Sequence, residues 1–254
     1  MAAFDLSGRF ALVTGGGQNL GAGVARALAS QGAAVAVNDL VADRAEVTAE
    51  EIRGAGGAAV AVAFDVTDAQ AVAEGVGVAR RVLGGEIDIL VNNAGVPAGM
   101  QVAPFRNLDR AEWKRLIDIN LYGSLNCVAE VIEPMVAQGY GRVIQISSGA
   151  GRTGLKMGVS LYGASKSGIE GFIRHLSQEV ARTGVTANSI ALGLMQTLRP
   201  LDDDDATHAI ERQIPLGRLG SPADVGWLAV YLASPEAEWM TGQTINLNGG
   251  TTTS

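Results

Sequence analysis

The sequence has only one cysteine and two histidines. Cys127 has no second cysteine with which to form an internal disulfide, and His175 and His208 are too scattered to suggest a metal-ligand cluster with it. We therefore predict that the chain binds no metal. We interpret Cys127 as a small, buried apolar residue.

The sequence also lacks an excess of basic residues and any long apolar run. Its formal net charge of −7 disfavours nucleic acid or an anionic membrane as the main partner. No stretch has the roughly 18 apolar residues that cross a bilayer, and residues 1–8 lack the basic and apolar regions of a signal peptide. We therefore expect a soluble, cytoplasmic protein.

Short apolar runs alternate with longer segments that have helical spacing. Parallel strands need a crossover connection, which is usually a helix, so this alternation predicts a doubly wound (Rossmann) parallel sheet with helices on both faces. Because no proline-rich or serine-rich linker divides the chain, we predict a single α/β domain over residues 1–254. The seven predicted strands are RFALVTG, AAVAVND, AVAVAFD, IDILVNN, GRVIQIS, VTANSIA and QTINLNG.

A glycine-rich loop follows the first predicted strand, which runs from about Phe10 to Val13. The loop, TGGGQNLGAG at residues 14–23, leads directly into a helical pattern. Small residues before a helix N-terminus let the backbone approach a pyrophosphate. The usual G-x-G-x-x-G spacing fails because Leu20 stands where the last glycine would be. The loop alone is therefore compatible with a nucleotide site or with a structural turn.

An acidic residue ends each of the next two predicted strands. Asp39 lies 24 residues after Gly15, where a carboxylate can accept hydrogen bonds from the adenosine ribose and would repel a 2′-phosphate. Neither Leu40 nor Gln18 supplies a positive charge, so we predict NAD rather than NADP as the cofactor. Asp65 could meet the adenine edge. The alternative for both carboxylates is a turn or helix cap.

The segment YGASK places a phenol and an ammonium four residues apart. On a helix, Tyr162 and Lys166 would share one face about 6 Å apart, so that both could act on one object. Taken alone, the pair is better explained as two surface residues of an amphipathic helix, so the function depends on the rest of the chain.

Together these segments resemble the short-chain dehydrogenase/reductase family, in its 3-oxoacyl reductase-like branch. The family loop T-G-x-x-x-G-x-G is matched by Thr14, Gly15 and Gly21, with Asn19 at the middle glycine. Asparagine tolerates positive φ, so we expect the turn to survive. The resemblance also covers NNAG at 92–95, DINLYGS around Asn120, ISS at 146–148, YGASK at 162–166, LGLMQT at 192–197 and TGQTINLNGG near the C-terminus.

The resemblance implies roles for individual residues. Tyr162 would be the general acid or base, and Lys166 would lower the pKa of Tyr162 and hold the nicotinamide ribose. Ser148, rather than Ser147, would hydrogen-bond the substrate oxygen, and Asn120 would hold a water beside Lys166. A substrate lid would span about 198–215. The cofactor-binding residues would be Gly15, Gln18, Asn19, Leu20, Gly21, Asp39, Asp65, Val66, Asn92, Ala94, Gly95, Tyr162, Lys166, Met195 and Thr197.

The sequence does not decide between several possible substrates. The first hypothesis is a small secondary alcohol or ketone, and the alternative is a 3-oxoacyl thioester of coenzyme A or a carrier protein, with Arg152, Lys156 and Arg199 beside the pocket. A regulator that senses NAD without turning it over is a third reading. Met100, Leu155, Met157 and Leu194 suggest an apolar pocket. The family also implies a homotetramer formed through helices at about 109–137 and 161–181.

Overall fold

A computed structural model of the chain describes residues 3–96, 99–196 and 204–253. Its strands form one seven-stranded parallel sheet in the order β3-β2-β1-β4-β5-β6-β7, which confirms the predicted fold class. The assignment of the whole chain to one domain stays a prediction. The strands are β1 (Phe10–Val13), β2 (Ala34–Asp39), β3 (Ala58–Ala63), β4 (Ile89–Asn92), β5 (Gly141–Ser148), β6 (Val185–Leu192) and β7 (Thr244–Leu247).

Helices cover both faces of the sheet because alternate strand residues point to opposite sides. In β1, Ala11 and Val13 pack in one apolar cluster, whereas Leu12 packs in the other. Helices α1, α2 and α8 cover the first face, and α3, α5 and α6 cover the second. The helices are α1 (Asn19–Ser30), α2 (Ala42–Gly54), α3 (Ala69–Leu83), α4 (Arg110–Ile117), α5 (Gly123–Gln138), α6 (Ser160–Val180), α7 (Asp204–Glu211) and α8 (Pro222–Ala233).

The long helix expected over 109–137 is interrupted. Five residues, Asp118–Tyr122, form a π-helical segment between α4 and α5. A π-helical turn holds an extra residue, which shifts the side chains around it and often occurs at functional sites. The other predicted long helix, at 161–181, is α6.

Short 3₁₀ turns complete the connections, and one of them, Gly149–Gly151, directly follows β5. In a parallel sheet the C-terminal ends of all strands lie at one edge. The glycine-rich loop, Asp39, Asn92 and Ser148 therefore meet at that edge. None of the helices in the described ranges is long and apolar enough to span a membrane.

Candidate active site

The glycine-rich loop is built for close approach of an anionic group. Gly15 and Asn19 have φ of +59° and +50°, so asparagine takes the expected left-handed conformation. A Cβ on Gly21 would lie 2.1 Å from the carbonyl oxygen of Gly15, which shows how closely the first turn of α1 packs on the loop. Gln18, at the N-cap of α1, makes no side-chain capping bond, and the first turn has no acidic residue. The backbone N–H groups in the first turn of α1, near Leu20, are therefore suited to bind a pyrophosphate.

Asn93 is a supporting residue that the sequence analysis missed, although the NNAG motif contains it. Its side-chain amide donates to the carbonyl oxygens of Thr14 and Gly15, each at 3.0 Å. The Thr14 hydroxyl in turn accepts from the backbone N–H groups of Asn93 and Ala94 at 3.0 and 3.2 Å. These bonds tie the end of β4 to the loop after β1.

At the end of β2, Asp39 is only 5% exposed. Its carboxylate accepts from the backbone N–H groups of Gly17 at 3.3 Å and Val41 at 3.0 Å. A Cβ on Gly17 would lie 2.7 Å from the Cβ of Arg44 and 2.8 Å from Oδ2 of Asp39. Arg44 is not among the residues predicted from the sequence, because nothing in a linear pattern brings an exposed residue of α2 to this loop.

The residues after β3 lie beside the same edge. The Asp65 carboxylate accepts from the backbone N–H and the hydroxyl of Thr67, both at 2.8 Å, so the turn interpretation of Asp65 has a geometric basis. Val66 is buried, and its carbonyl oxygen accepts from the Asn126 side chain at 2.9 Å. Asn92, the last residue of β4, is buried with an Oδ1 that has no protein partner in the described structure.

Helix α6 carries Tyr162 and Lys166 to the end of β5. The Lys166 ammonium nitrogen is 5.7 Å from the centre of the Tyr162 ring, so the two residues share one face as the helical spacing predicts. Lys166 is 2% exposed and donates to the carbonyl oxygen of Ile146 at 3.0 Å. Tyr162 is hydrogen-bonded to the Ser148 side chain, whereas the Ser147 hydroxyl donates to Glu170 at 2.5 Å. Tyr162, Lys166 and Ser148 therefore lie together.

The expected lowering of the Tyr162 pKa is wrong for this structure. Burial raises the pKa of Tyr162 above its ordinary value, and the hydrogen bond from Ser148 opposes that rise. The Lys166 ammonium donates to the carbonyl oxygen of Ile146 and makes no hydrogen bond to the phenol in the described structure, so no such bond from Lys166 offsets the effect of burial. Burial also lowers the pKa of Lys166, to about 8, against an opposing effect of the Glu170 carboxylate. The Tyr162 hydroxyl is therefore protonated at neutral pH.

Asn120 lies in the π-helical segment and is fully buried. Its side-chain NH₂ donates to the carbonyl oxygen of Leu116 at 3.0 Å, while its Oδ1 has no partner among the residues that the structure describes. A Cβ on Gly95 would lie 2.6 Å from that Oδ1 and 2.7 Å from the Lys166 nitrogen. The Asn120 Oδ1 and the Lys166 nitrogen therefore both pack closely against Gly95.

The segment after β6 is described only in part. Met195 pairs with Gly220 in a short parallel bridge, and the N–H of Gln196 donates to the carbonyl oxygen of Gly220 at 2.7 Å. Thr197 and residues 198–203 of the expected lid lie outside the described residues, and α7 occupies part of the remainder. Of the expected pocket residues, Met100 lines a cleft with Tyr162, Leu194 lines a separate cavity with Met195, and Leu155 and Met157 are exposed.

The chain matches known proteins over nearly its whole length. Residues 15–252 match the family described as enoyl-(acyl carrier protein) reductase. The acetoacetyl-CoA reductase of Shinella zoogloeoides is 38% identical over 244 residues, covering 95% of this chain and 98% of that protein.

Two solved structures are also similar. A gluconate 5-dehydrogenase from Burkholderia cenocepacia, in complex with NADP and tartrate, has a TM-score of 0.90 at 32% identity, covering 99% of this chain and 98% of that one. A 3-oxoacyl-[acyl-carrier protein] reductase from Brucella melitensis, with bound NAD, has a TM-score of 0.89 at 31% identity, covering 99% and 94%. The chain therefore belongs to the short-chain dehydrogenase/reductase family, whose oxidoreductases use a nicotinamide cofactor.

Proposed function

We propose that this chain is an NAD(H)-dependent oxidoreductase that interconverts a secondary alcohol and a ketone, with Tyr162 as general acid and base. The observation that carries the proposal is the Tyr162–Ser148 hydrogen bond, with the buried Lys166 ammonium 5.7 Å from the phenol ring. Ser148 ends β5, at the edge of the sheet where ligands of such folds bind, and Tyr162 and Lys166 contact the end of β5 there.

The chain's own residues would handle the proton. In ketone reduction the protonated Tyr162 hydroxyl donates its proton to the substrate oxygen, and the Ser148 hydroxyl holds that oxygen by a hydrogen bond. In alcohol oxidation the phenolate takes the proton back. The Lys166 ammonium stabilises the phenolate between these steps. When bound, the nicotinamide would supply the hydride in ketone reduction and accept it in alcohol oxidation.

Asn120 would support this proton transfer through a water. Its Oδ1, which has no partner among the described residues, and the Lys166 nitrogen both lie beside Gly95. A buried polar atom without a partner is costly, and a water with several polar neighbours removes that cost. We propose that such a water bridges Asn120 and Lys166 and returns a proton to Lys166 when Lys166 has lost one.

The cofactor preference rests on Asp39. Its buried carboxylate, held by two backbone N–H groups, would bind the ribose hydroxyls of NAD and repel a 2′-phosphate. Arg44 lies beside the same face of Gly17 as Asp39 and could instead attract that phosphate. The ratio of kcat/KM with NAD to kcat/KM with NADP should therefore fall in Asp39→Ala and rise in Arg44→Ala. Native activity that is higher with NADP would refute the preference for NAD.

A 3-oxoacyl thioester is the second candidate substrate. Two observations favour it: the similarity to acetoacetyl-CoA reductase and to 3-oxoacyl-[acyl-carrier protein] reductase. Lys156 is exposed and Arg152 is partly exposed after β5, so both could approach a coenzyme A phosphate. The third residue considered for this role, Arg199, lies outside the described residues.

A substrate panel separates these candidates. We would measure cofactor turnover with small secondary alcohols, their ketones, acetoacetyl-CoA and a 3-oxoacyl carrier protein, for the native chain and Ser148→Ala. We expect turnover with the small secondary alcohols and their ketones, and a kcat that is lower by about 10²-fold or more in Ser148→Ala. Higher kcat/KM with a thioester would select the second candidate. No turnover with any substrate, together with tight NAD binding, would favour the regulator.

Two further expectations stay predictions. We propose a homotetramer, supported by exposed apolar side chains at Tyr122, beside α5, and at Trp227 and Trp239 near α8. Sedimentation that finds a stable monomer would contradict it. The cytoplasmic location would be tested by cell fractionation.

A further inference from the structure

Glu170 is a buried carboxylate that the proposed chemistry does not use. It lies one helical turn beyond Lys166 on α6 and is 2% exposed. Its Oε1 accepts from the Ser147 hydroxyl at 2.5 Å, and its Oε2 is 3.7 Å from the Arg152 guanidinium. Burying a carboxylate is costly even with such partners, so its presence beside the lysine calls for a physical reason.

Three successive turns of α6 meet three consecutive residues of β5. Tyr162 is hydrogen-bonded to Ser148, Lys166 to the carbonyl oxygen of Ile146, and Glu170 to Ser147. The turn after β5 closes over the same side chains. A Cβ on Gly151 would lie 3.1 Å from the Cβ of Lys166 and 3.2 Å from Oε1 of Glu170. Lys166 and Glu170 are each only 2% exposed, so bulk water screens the attraction between the ammonium and the carboxylate weakly.

Few other charges act on Lys166 in the described part of the chain. In β5 and β6, which pack on α6, Arg142 is the charged residue, and it lies at the opposite end of β5. Arg182 follows the far end of α6. The remaining charged groups on elements packed against α6 are Arg152 beside Glu170, Asp118 paired with Lys114, Glu112 paired with Arg115, and Arg110 over the Trp113 ring.

We propose that Glu170 is a positioning residue that keeps Lys166 protonated and thereby sets the upper pH limit of the proton transfer at Tyr162. This inference rests on the proposed function of Tyr162 and Lys166. Burial alone lowers the pKa of Lys166, and Glu170 is the group that acts against this effect. Without the carboxylate, Lys166 would lose its proton closer to neutral pH and would no longer stabilise the phenolate.

The sequence allows a direct test, because it contains only three lysines. Carbon-13-labelled lysine would give separate signals for Lys114, Lys156 and Lys166, assigned with Lys114→Arg and Lys156→Arg. In Glu170→Gln we expect the pKa of Lys166 to fall by about 1 to 2 units, as for unit charges roughly 6 Å apart at a protein-like dielectric. The two other lysines serve as internal references and should not shift.

Matched variants separate charge from structure. Glu179→Gln makes the same change at an exposed position of α6 and should leave the Lys166 titration unchanged. Ser147→Ala removes the hydrogen bond but keeps the carboxylate, and should shift the Lys166 pKa by less than Glu170→Gln does. Should Glu170→Gln fail to fold, Glu170→Met removes the charge without a polar group to bury. A folded charge-removing variant with the native Lys166 titration would overturn the proposal.

A second readout uses turnover. In Glu170→Gln the alkaline limb of the pH profile of kcat/KM for alcohol oxidation should move to lower pH by as much as the pKa of Lys166 falls. A purely structural role would lower turnover at every pH and leave the limb in place, which would also overturn the proposal. Failure of the proposed function looks different: Tyr162→Phe would keep native turnover, while the lysine titration would still report on Glu170.

Discussion

Replacing Gly95 with alanine should inactivate the chain by displacing the Asn120 and Lys166 side chains, which pack against it. The added Cβ would lie 2.6 Å from Asn120 Oδ1 and 2.7 Å from the Lys166 nitrogen, where ordinary contact begins at 3.4 Å. Asn120 Oδ1 must therefore retreat by about 0.8 Å and the Lys166 nitrogen by about 0.7 Å, and both side chains are held by hydrogen bonds in a packed interior. We expect a loss of stability of about 1–3 kcal/mol from overpacking.

The effect on turnover should be larger than the effect on folding. A displacement approaching 1 Å at a catalytic group costs about 10²-fold in rate, so kcat should fall by about that factor. Gly54→Ala is the control, because a Cβ there meets nothing within 4 Å; it should raise stability by up to about 1 kcal/mol and leave kcat unchanged. Denaturant unfolding, steady-state turnover and calorimetric cofactor binding measure the three effects. Native kcat in Gly95→Ala, or a loss confined to cofactor affinity, would refute the reasoning.

Three other predictions concern charge, backbone and burial. Burial lowers the pKa of Lys166 from 10.5 to about 8, so the unfolded chain binds this proton more tightly than the folded chain does. Lys166→Met removes this cost and should be more stable than the native chain by up to about 3 kcal/mol at pH 7. That advantage should shrink between pH 8 and 10.5; denaturant titrations showing a constant difference would contradict it. At the left-handed position 19, Asn19→Gly should be about 1 kcal/mol more stable than Asn19→Ala, and equal unfolding midpoints would count against a backbone effect. Since burial raises the pKa of Cys127 to about 12, a thiol reagent should label it quickly only after unfolding, and equal rates in native and unfolded protein would be the contrary result.

The fold was readable in the sequence because it depends on local patterns. The apolar runs predict all seven strands, and the first runs from Phe10 to Val13 as expected. Helical spacing likewise puts Tyr162 and Lys166 on one face. The π-helical segment at Asp118–Tyr122 was missed, since one extra residue in a turn hardly changes the apolar period over a long helix.

The electrostatics of the site could not be read in the same way. The direction of the Tyr162 pKa shift depends on how much solvent its hydroxyl loses and on where the Lys166 ammonium points, and both are set by tertiary packing. Glu170 and Arg44 were missed for the same reason. Their importance comes from contacts with β5 and with the glycine-rich loop, which are distant in the chain.

The most direct measurement of the central claim is the turnover of Tyr162→Phe at saturating cofactor and substrate. Phenylalanine keeps the ring beside Lys166 and removes only the hydroxyl that would carry the proton. We predict that kcat falls by about 10²- to 10⁴-fold while the dissociation constant for the cofactor stays near the native value. A kcat close to that of the native chain would contradict the role of Tyr162 as the general acid and base.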